Sequence, residues 1–95
     1  MPERQNREAV GVVREYFRKP GVAAVEILRG RVKIGDSVRF LGHTTDFTQV
    51  IGSMQMNHAD ILEAGKGDFV GILVGDRVRE NDQMYIESGE IEVSL

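Results

Sequence analysis

The chain of 95 residues has room for one domain and one modest core. Its 12 Val and 7 Ile outnumber 5 Ala and 5 Leu, and 11 Gly punctuate the length, which favours short strands joined by tight turns over helices. The net charge of −3, the lack of Cys and the lack of any apolar run near ~20 residues exclude a strongly basic nucleic-acid binder, disulfides, thiolate chemistry and a membrane-spanning helix.

Residues 1–8, Met-Pro-Glu-Arg-Gln-Asn-Arg-Glu, form a polar tail without the apolar centre of a signal peptide, so a cytoplasmic location is expected. Residues 9–17 read as a first strand. Arg18-Lys19-Pro20-Gly21 is a turn, because Pro presets φ and Gly accepts a positive one. In a second strand over 22–29, Ala23, Val25 and Ile27 alternate on one face. Gly30 opens a link carrying Val32 and Ile34, and Gly35-Asp36 is a further turn. Val38 and Phe40 alternate in a third strand that ends at Gly42. The polar segment 42–49 leads into a fourth strand over about 47–56, where the spacing of Ile51 and Met54 around Gly52 predicts a bulge. Residues 57–68 are a connection with one helical turn expected over Asp60–Ala64. Phe69–Val74 is a fifth strand, 75–82 a loop and Gln83–Glu87 a sixth strand. Ser88-Gly89 then leads to the alternation Ile91, Val93, Leu95 in residues 88–95, a candidate extra strand or tail. The domain proper therefore spans 9–87. Its expected core is Val13, Val25, Ile27, Val38, Phe40, Ile51, Met54, Val70, Ile72, Val74, Met84 and Ile86.

Turn signals about every ten residues fit a sandwich or a closed barrel, and closure removes exposed edges at this size. The sequence of signals from Ala23, Val25 and Ile27 through Gly30, Gly35-Asp36, Val38 and Phe40 resembles the second domain of the translational GTPases, elongation factor Tu type. Gly67-Asp68-Phe69-Val70-Gly71 is similar to that family's Ala-Gly-Asp-x-Val-Gly signature, with Gly65-Lys66 where an Ala is usual. Arg79-Glu80-Asn81-Asp82 resembles its Arg-x-Gly-Asp turn, with Asn81 in place of Gly. The resemblance covers about 9–87 and implies an all-β, six-stranded antiparallel Greek-key barrel. Gly42 to Gln49 is also similar to a segment of small free-standing elongation-factor-like proteins and of barrels appended to collagenase-like peptidases.

Catalytic chemistry finds little support. Gly30 to Ser37 mimics a phosphate loop, but Asp36 stands where a Lys must meet the phosphates, so neither nucleotide binding nor a GTPase is expected. His43, Asp46 and a neighbouring Thr could be cast as base, orienter and nucleophile, yet adjacent loop residues rarely reach triad geometry. His43, Thr44, Thr45, Asp46, Thr48 and Gln49 read better as a turn or a partner-binding loop. With His58 the only other His, no metal site is expected, and no cofactor.

Charge is uneven. Residues 1–39 hold nine basic and five acidic side chains, residues 40–95 three and ten. Arg14, Tyr16, Arg18 and Lys19 mix cations with an aromatic at a hairpin tip, as single-strand binders do. The bland alternative has Phe17 in the core, Tyr16 partly covered and the cations solvated. Arg29, Arg31 and Lys33 follow at the other end of the second strand, roughly 25 Å away for eight residues. Asp60, Glu63, Asp68, Asp76, Glu80, Asp82 and Glu87 read as a solubilising acidic surface. The resemblance implies a non-catalytic binding module that contacts RNA, the ribosome or a translation or RNA-modifying protein. The alternative is a protein–protein adaptor, similar to the accessory barrel of collagenase-like peptidases, without RNA binding.

Overall fold

A computed structural model of the chain describes residues 8–87. The candidate extra strand over Ile91, Val93 and Leu95, and the polar tail before Glu8, lie outside the described residues. Within them ten strands follow in chain order: β1 Gly11–Phe17, β2 Val22–Ile27, β3 Arg31–Lys33, β4 Ser37–Leu41, β5 Asp46–Val50, β6 Met54–Met56, β7 Ala59–Asp60, β8 Glu63–Gly65, β9 Phe69–Leu73 and β10 Gln83–Ile86. All the pairings are antiparallel. Eight strands form one sheet in the order β5-β4-β10-β1-β2-β9-β6-β7, and β3 pairs separately with β8. No helix forms among the described residues, and so none long and apolar enough to cross a membrane.

Alternation decides which face is inside. Ala23, Val25 and Ile27 of β2, Val38 and Phe40 of β4, Val70 and Ile72 of β9 and Met84 of β10 join one buried cluster. A sheet that buries one face in a single cluster must curl around it, which gives the all-β, barrel-like form. Of the twelve expected core residues, Ile86 alone is only half-buried, and it packs against the cluster. Phe40 is fully buried, and its ring stacks on Phe47 across the β4–β5 pair with centroids 5.3 Å apart.

Four local expectations are corrected. A bulge lies at Arg14, not Gly52: the register steps from Val13↔Val25 to Glu15↔Ala24. The extra residue inverts the alternation beyond it, so Tyr16 turns toward the core and Phe17 is 46% exposed. The expected fourth strand splits at 51–53 into β5 and β6, which pair with β4 and β9 respectively. Ile51 leaves the β4 ladder because the 35–36 turn holds it: the Gly35 N–H donates to the Ile51 carbonyl and the Ile51 N–H to the Asp36 carbonyl, both at 2.9 Å. The link after Gly30 is strand β3, and the helical turn over Asp60–Ala64 is replaced by β7 and β8. Val32 pairs opposite Ala64, and both are buried. The ladder satisfies backbone groups that an isolated helical turn would leave open. Finally, Asp82 is no surface acid, being 4% exposed.

Three turns share one construction. In Lys33–Asp36, Gly65–Asp68 and Arg79–Asp82 the Asp N–H donates to the first residue's carbonyl at 3.0, 3.0 and 3.1 Å. The Asp carboxylate accepts the first residue's N–H at 2.9, 2.9 and 2.8 Å. The third residue is left-handed in each: Gly35 at φ 98°, Gly67 at 92° and Asn81 at 78°. Asn is among the few side chains that accept this conformation, so the Asn81 turn survives the loss of Gly.

Candidate functional site

The β1–β2 hairpin carries the first group of candidates. Arg14, displaced by the bulge, donates from Nε and Nη2 to Glu26 Oε1 at 2.9 and 2.6 Å. At the hairpin tip the Gly21 N–H donates to the Phe17 carbonyl at 2.9 Å. This holds Arg18 and Lys19 in solvent, with no carboxylate partner among the described residues. Two further cations join them that sequence proximity did not suggest. The Val13 N–H donates to the Asp82 carbonyl at 2.8 Å, and the Asn81 N–H to the Val13 carbonyl at 2.7 Å. These bonds seat the 79–82 turn on β1. The result is a groove of about 530 Å³ lined by Arg14, Glu15, Tyr16, Arg18, Arg77, Val78, Arg79 and Glu80.

The second group is the segment after β4. Thr45 is buried, and its carbonyl accepts the Gly42 N–H at 2.8 Å. Asp46 is bound by Arg39 through paired hydrogen bonds, Nε–Oδ1 and Nη2–Oδ2, both 2.8 Å. These bonds, against desolvation and with the help of the guanidinium charge, hold the Asp46 carboxyl below the ordinary carboxylate range and raise Arg39. Asp46 is thus committed to Arg39, and the His43-based triad lacks its orienter. Gln49 serves the fold: its Nε2 donates to the Leu73 carbonyl at 2.9 Å and its Oε1 accepts the Gly75 N–H at 2.8 Å. His43 and Thr48 are exposed. Thr44, Thr45, Asp46 and Phe47 line a pocket of about 340 Å³ with Asp76, Arg77 and Arg79. Arg77 and Arg79 therefore border both the groove and the pocket, joining two candidate segments that are far apart in sequence.

The remaining candidate cations, Arg29, Arg31 and Lys33, lie elsewhere and are paired. Arg29 donates to the Ala9 carbonyl at 2.9 Å and meets Glu8 at 2.9 Å. Arg31 meets Glu63 at 2.7 Å across β3–β8, and Lys33 meets Asp36 at 3.1 Å. Among the described residues, the candidate cations of the basic half are divided between the β1–β2 hairpin and the paired positions around β3. Among the described residues no three His, Cys, Asp or Glu side chains are grouped to hold a metal ion.

By class this is an antiparallel, barrel-like module whose candidate side chains sit mostly on connecting turns and outward strand faces of a rigid scaffold. The chain belongs to the Elongation factor Tu domain 2 family, whose profile matches residues 21–91. It is 38% identical over 78 residues to an uncharacterized protease of Methanocaldococcus jannaschii, covering 81% of this chain and 19% of that protein. It is 34% identical over 77 residues to a collagenase of Porphyromonas gingivalis, covering 80% of this chain and 21% of that one. It is also similar to translation initiation factor IF-2 of Thermococcus kodakarensis, 31% identical over 98 residues, covering 90% of this chain and 8% of the factor. The chain thus spans about a fifth of the length of the protease relatives it matches. Among solved structures, the C-terminal domain of a Geobacillus thermoleovorans U32 peptidase superposes with a TM-score of 0.80 at 27% identity, covering 92% of this chain and 100% of that domain.

Proposed function

We propose that this module works without catalysis, as a docking domain that seats on a protein partner of the collagenase-like, U32 peptidase type. The observation that carries this reading is the match, end to end, with a peptidase's C-terminal domain. The charge pattern supports it as well: Arg14, Arg29, Arg31 and Lys33 each pair with a carboxylate of the same fold. A phosphate would have to displace those partners. The test is affinity capture from native lysate with and without nuclease. Recovery of a peptidase-type chain that survives nuclease is expected. Recovery only of RNA-dependent partners would refute the reading.

One observation favours RNA contact as a second reading. The guanidinium groups of Arg18, Arg77 and Arg79 have no carboxylate partner among the described residues, and these residues line the groove beside Tyr16. Under this reading, single-stranded RNA binds weakly with a strong salt dependence. Double substitution of Arg77 and Arg79 by Ala then lowers the salt slope by about 1.4. An unchanged slope, or no binding at low salt, would remove this reading.

A further inference from the structure

The outward face of β1, β2 and β9 is more apolar than a solvated antiparallel sheet face requires. The register sets Phe17, Val22 and Leu73 in one row across three strands. Phe17 is 46% and Leu73 47% exposed. The next outward row is Glu15, Ala24 and Gly71. A third holds Phe69, 58% exposed, opposite Glu26. Outward rows lie about 7 Å apart, so the small Ala24 and Gly71 form a shallow trough between the apolar Phe17–Val22–Leu73 ridge and a row in which Phe69 flanks the Arg14–Glu26 ion pair. Past Leu73 the first ridge runs into a cleft of about 320 Å³ beside Val50 and Gly52. Val50 is 59% exposed, and no atom lies within 4 Å of the place a Gly52 side chain would start. At the other end, Phe17 is followed directly by Arg18 and Lys19, two cations without a carboxylate partner among the described residues. Glu15 and Glu80 share the groove with Arg18, and neither pairs with it.

An exposed apolar ridge that runs into a cleft marks an interaction site, and its charged end selects the occupant. We propose that this face is where the partner docks. The occupant is a protein segment that places apolar side chains in the trough and in the Val50–Leu73 cleft, and carboxylates against Arg18 and Lys19. The proposal rests on the protein-docking reading above and adds the face and the chemistry it recognises.

Two substitutions block the face without touching the core. Gly52→Phe fills the cleft from an open position whose φ is outside the left-handed region. Leu73→Glu puts a charge on the ridge. Both sites are solvent-facing, so melting temperatures should stay within about 4 °C of the parent. The partner captured by the parent chain is identified, purified and titrated against each variant, and its contact segment is mapped by cross-linking from Lys19. Expected are a peptidase-type chain, at least tenfold weaker binding by Gly52→Phe and Leu73→Glu, little change for Arg77→Ala, and a cross-linked segment that mixes apolar residues with Asp or Glu. Full binding by both blocking variants overturns the face and leaves the docking reading standing. Capture of no peptidase-type chain by the parent overturns both. A cross-linked segment without carboxylates, or a homodimer that Leu73→Glu dissolves, also overturns the proposal.

Discussion

The turns before β9 and β10 are the same device in two settings. In each, an Asp closes a four-residue turn by accepting one N–H and donating its own. In Gly65–Asp68 the Asp is half-buried and Gly67 is exposed, with open space where a side chain would begin. In Arg79–Asp82 the first three residues are exposed and the Asp alone is buried. Asp82 is 4% exposed, and a Cβ on Gly42 would overlap its carboxylate. Both turns exchange the same two backbone hydrogen bonds with a strand: the Gly67 N–H donates to the Ile27 carbonyl and the Ile27 N–H to the Asp68 carbonyl, as Asn81 and Asp82 do with Val13, so what differs is the burial of the Asp. Identical hydrogen bonding therefore carries unequal weight. At the first turn it fixes how the end of β2 meets the loop that enters β9, with the carboxylate only half-buried. At the second it fixes how β1 meets the loop that bears Arg77 and Arg79.

The contrast can be broken most strongly at the two aspartates. Asp82→Ala should destabilise by about 2–3 kcal/mol, because the Arg79 N–H loses a charged acceptor and a buried site is emptied. Asp68→Ala, at the partly open turn, should cost about 1 kcal/mol. Urea melts of both variants decide the matter, and equal losses would mean that burial does not distinguish the turns. Gly42→Ala should cost about 2 kcal/mol by overpacking against the anchored Asp82 carboxylate. Asp82→Ala should relieve most of that cost in the double variant, a coupling readable from a double-mutant cycle. At the third turn position, Gly67→Ala should cost about 1–2 kcal/mol, since the left-handed backbone penalises a Cβ even in open space. Asn81→Gly should stay within about 0.5 kcal/mol, because Asn already tolerates that conformation. If the two substitutions behaved alike, conformation would not be what the sequence selects there.

The smallest expected effect is in pH. The Asp46 carboxyl is depressed in the fold by Arg39. Its contribution is therefore present above the ordinary carboxylate pKa and is lost as pH falls through the lower folded value. Asp46→Asn should flatten that part of the acid limb of a stability profile and leave the neutral region nearly unchanged, because the pair is solvent-exposed.

Sequence reasoning works here where a signal is local and repeated. Alternation over Ala23, Val25 and Ile27, or Val70 and Ile72, needs no tertiary information, since a pleated strand with one face buried enforces it. The Gly-Asp and Asn-Asp turns are legible for the same reason: φ and the Asp carboxylate act within four residues. Whatever depends on a remote partner escapes. Nothing in the identity of Arg14 announces a bulge, and that one residue exchanges the fates of Tyr16 and Phe17. Residues 31–33 look like a link until residues 63–65 are brought beside them. Gln49 reads as a polar loop residue, whereas its amide bridges β5 and the exit of β9. Arg77 and Arg79 sit in an acidic stretch, and only the pairing of the 79–82 turn with β1 brings them to Arg14 and Arg18.

The pairing of β1 with β10 has one more consequence. Gly11 stands opposite Met84, and the Val10 N–H donates to the Met84 carbonyl at 2.8 Å. The two strands run antiparallel, so the way into the fold near Val10 and the way out near Ile86 open on the same rim, roughly 5 Å apart at the strand spacing. A longer polypeptide could detour through this module and resume almost where it left off, with no connecting arm to span the domain. Such a unit can be grafted between hosts as different as a protease and a translation factor, because the graft asks nothing of the host beyond a surface loop.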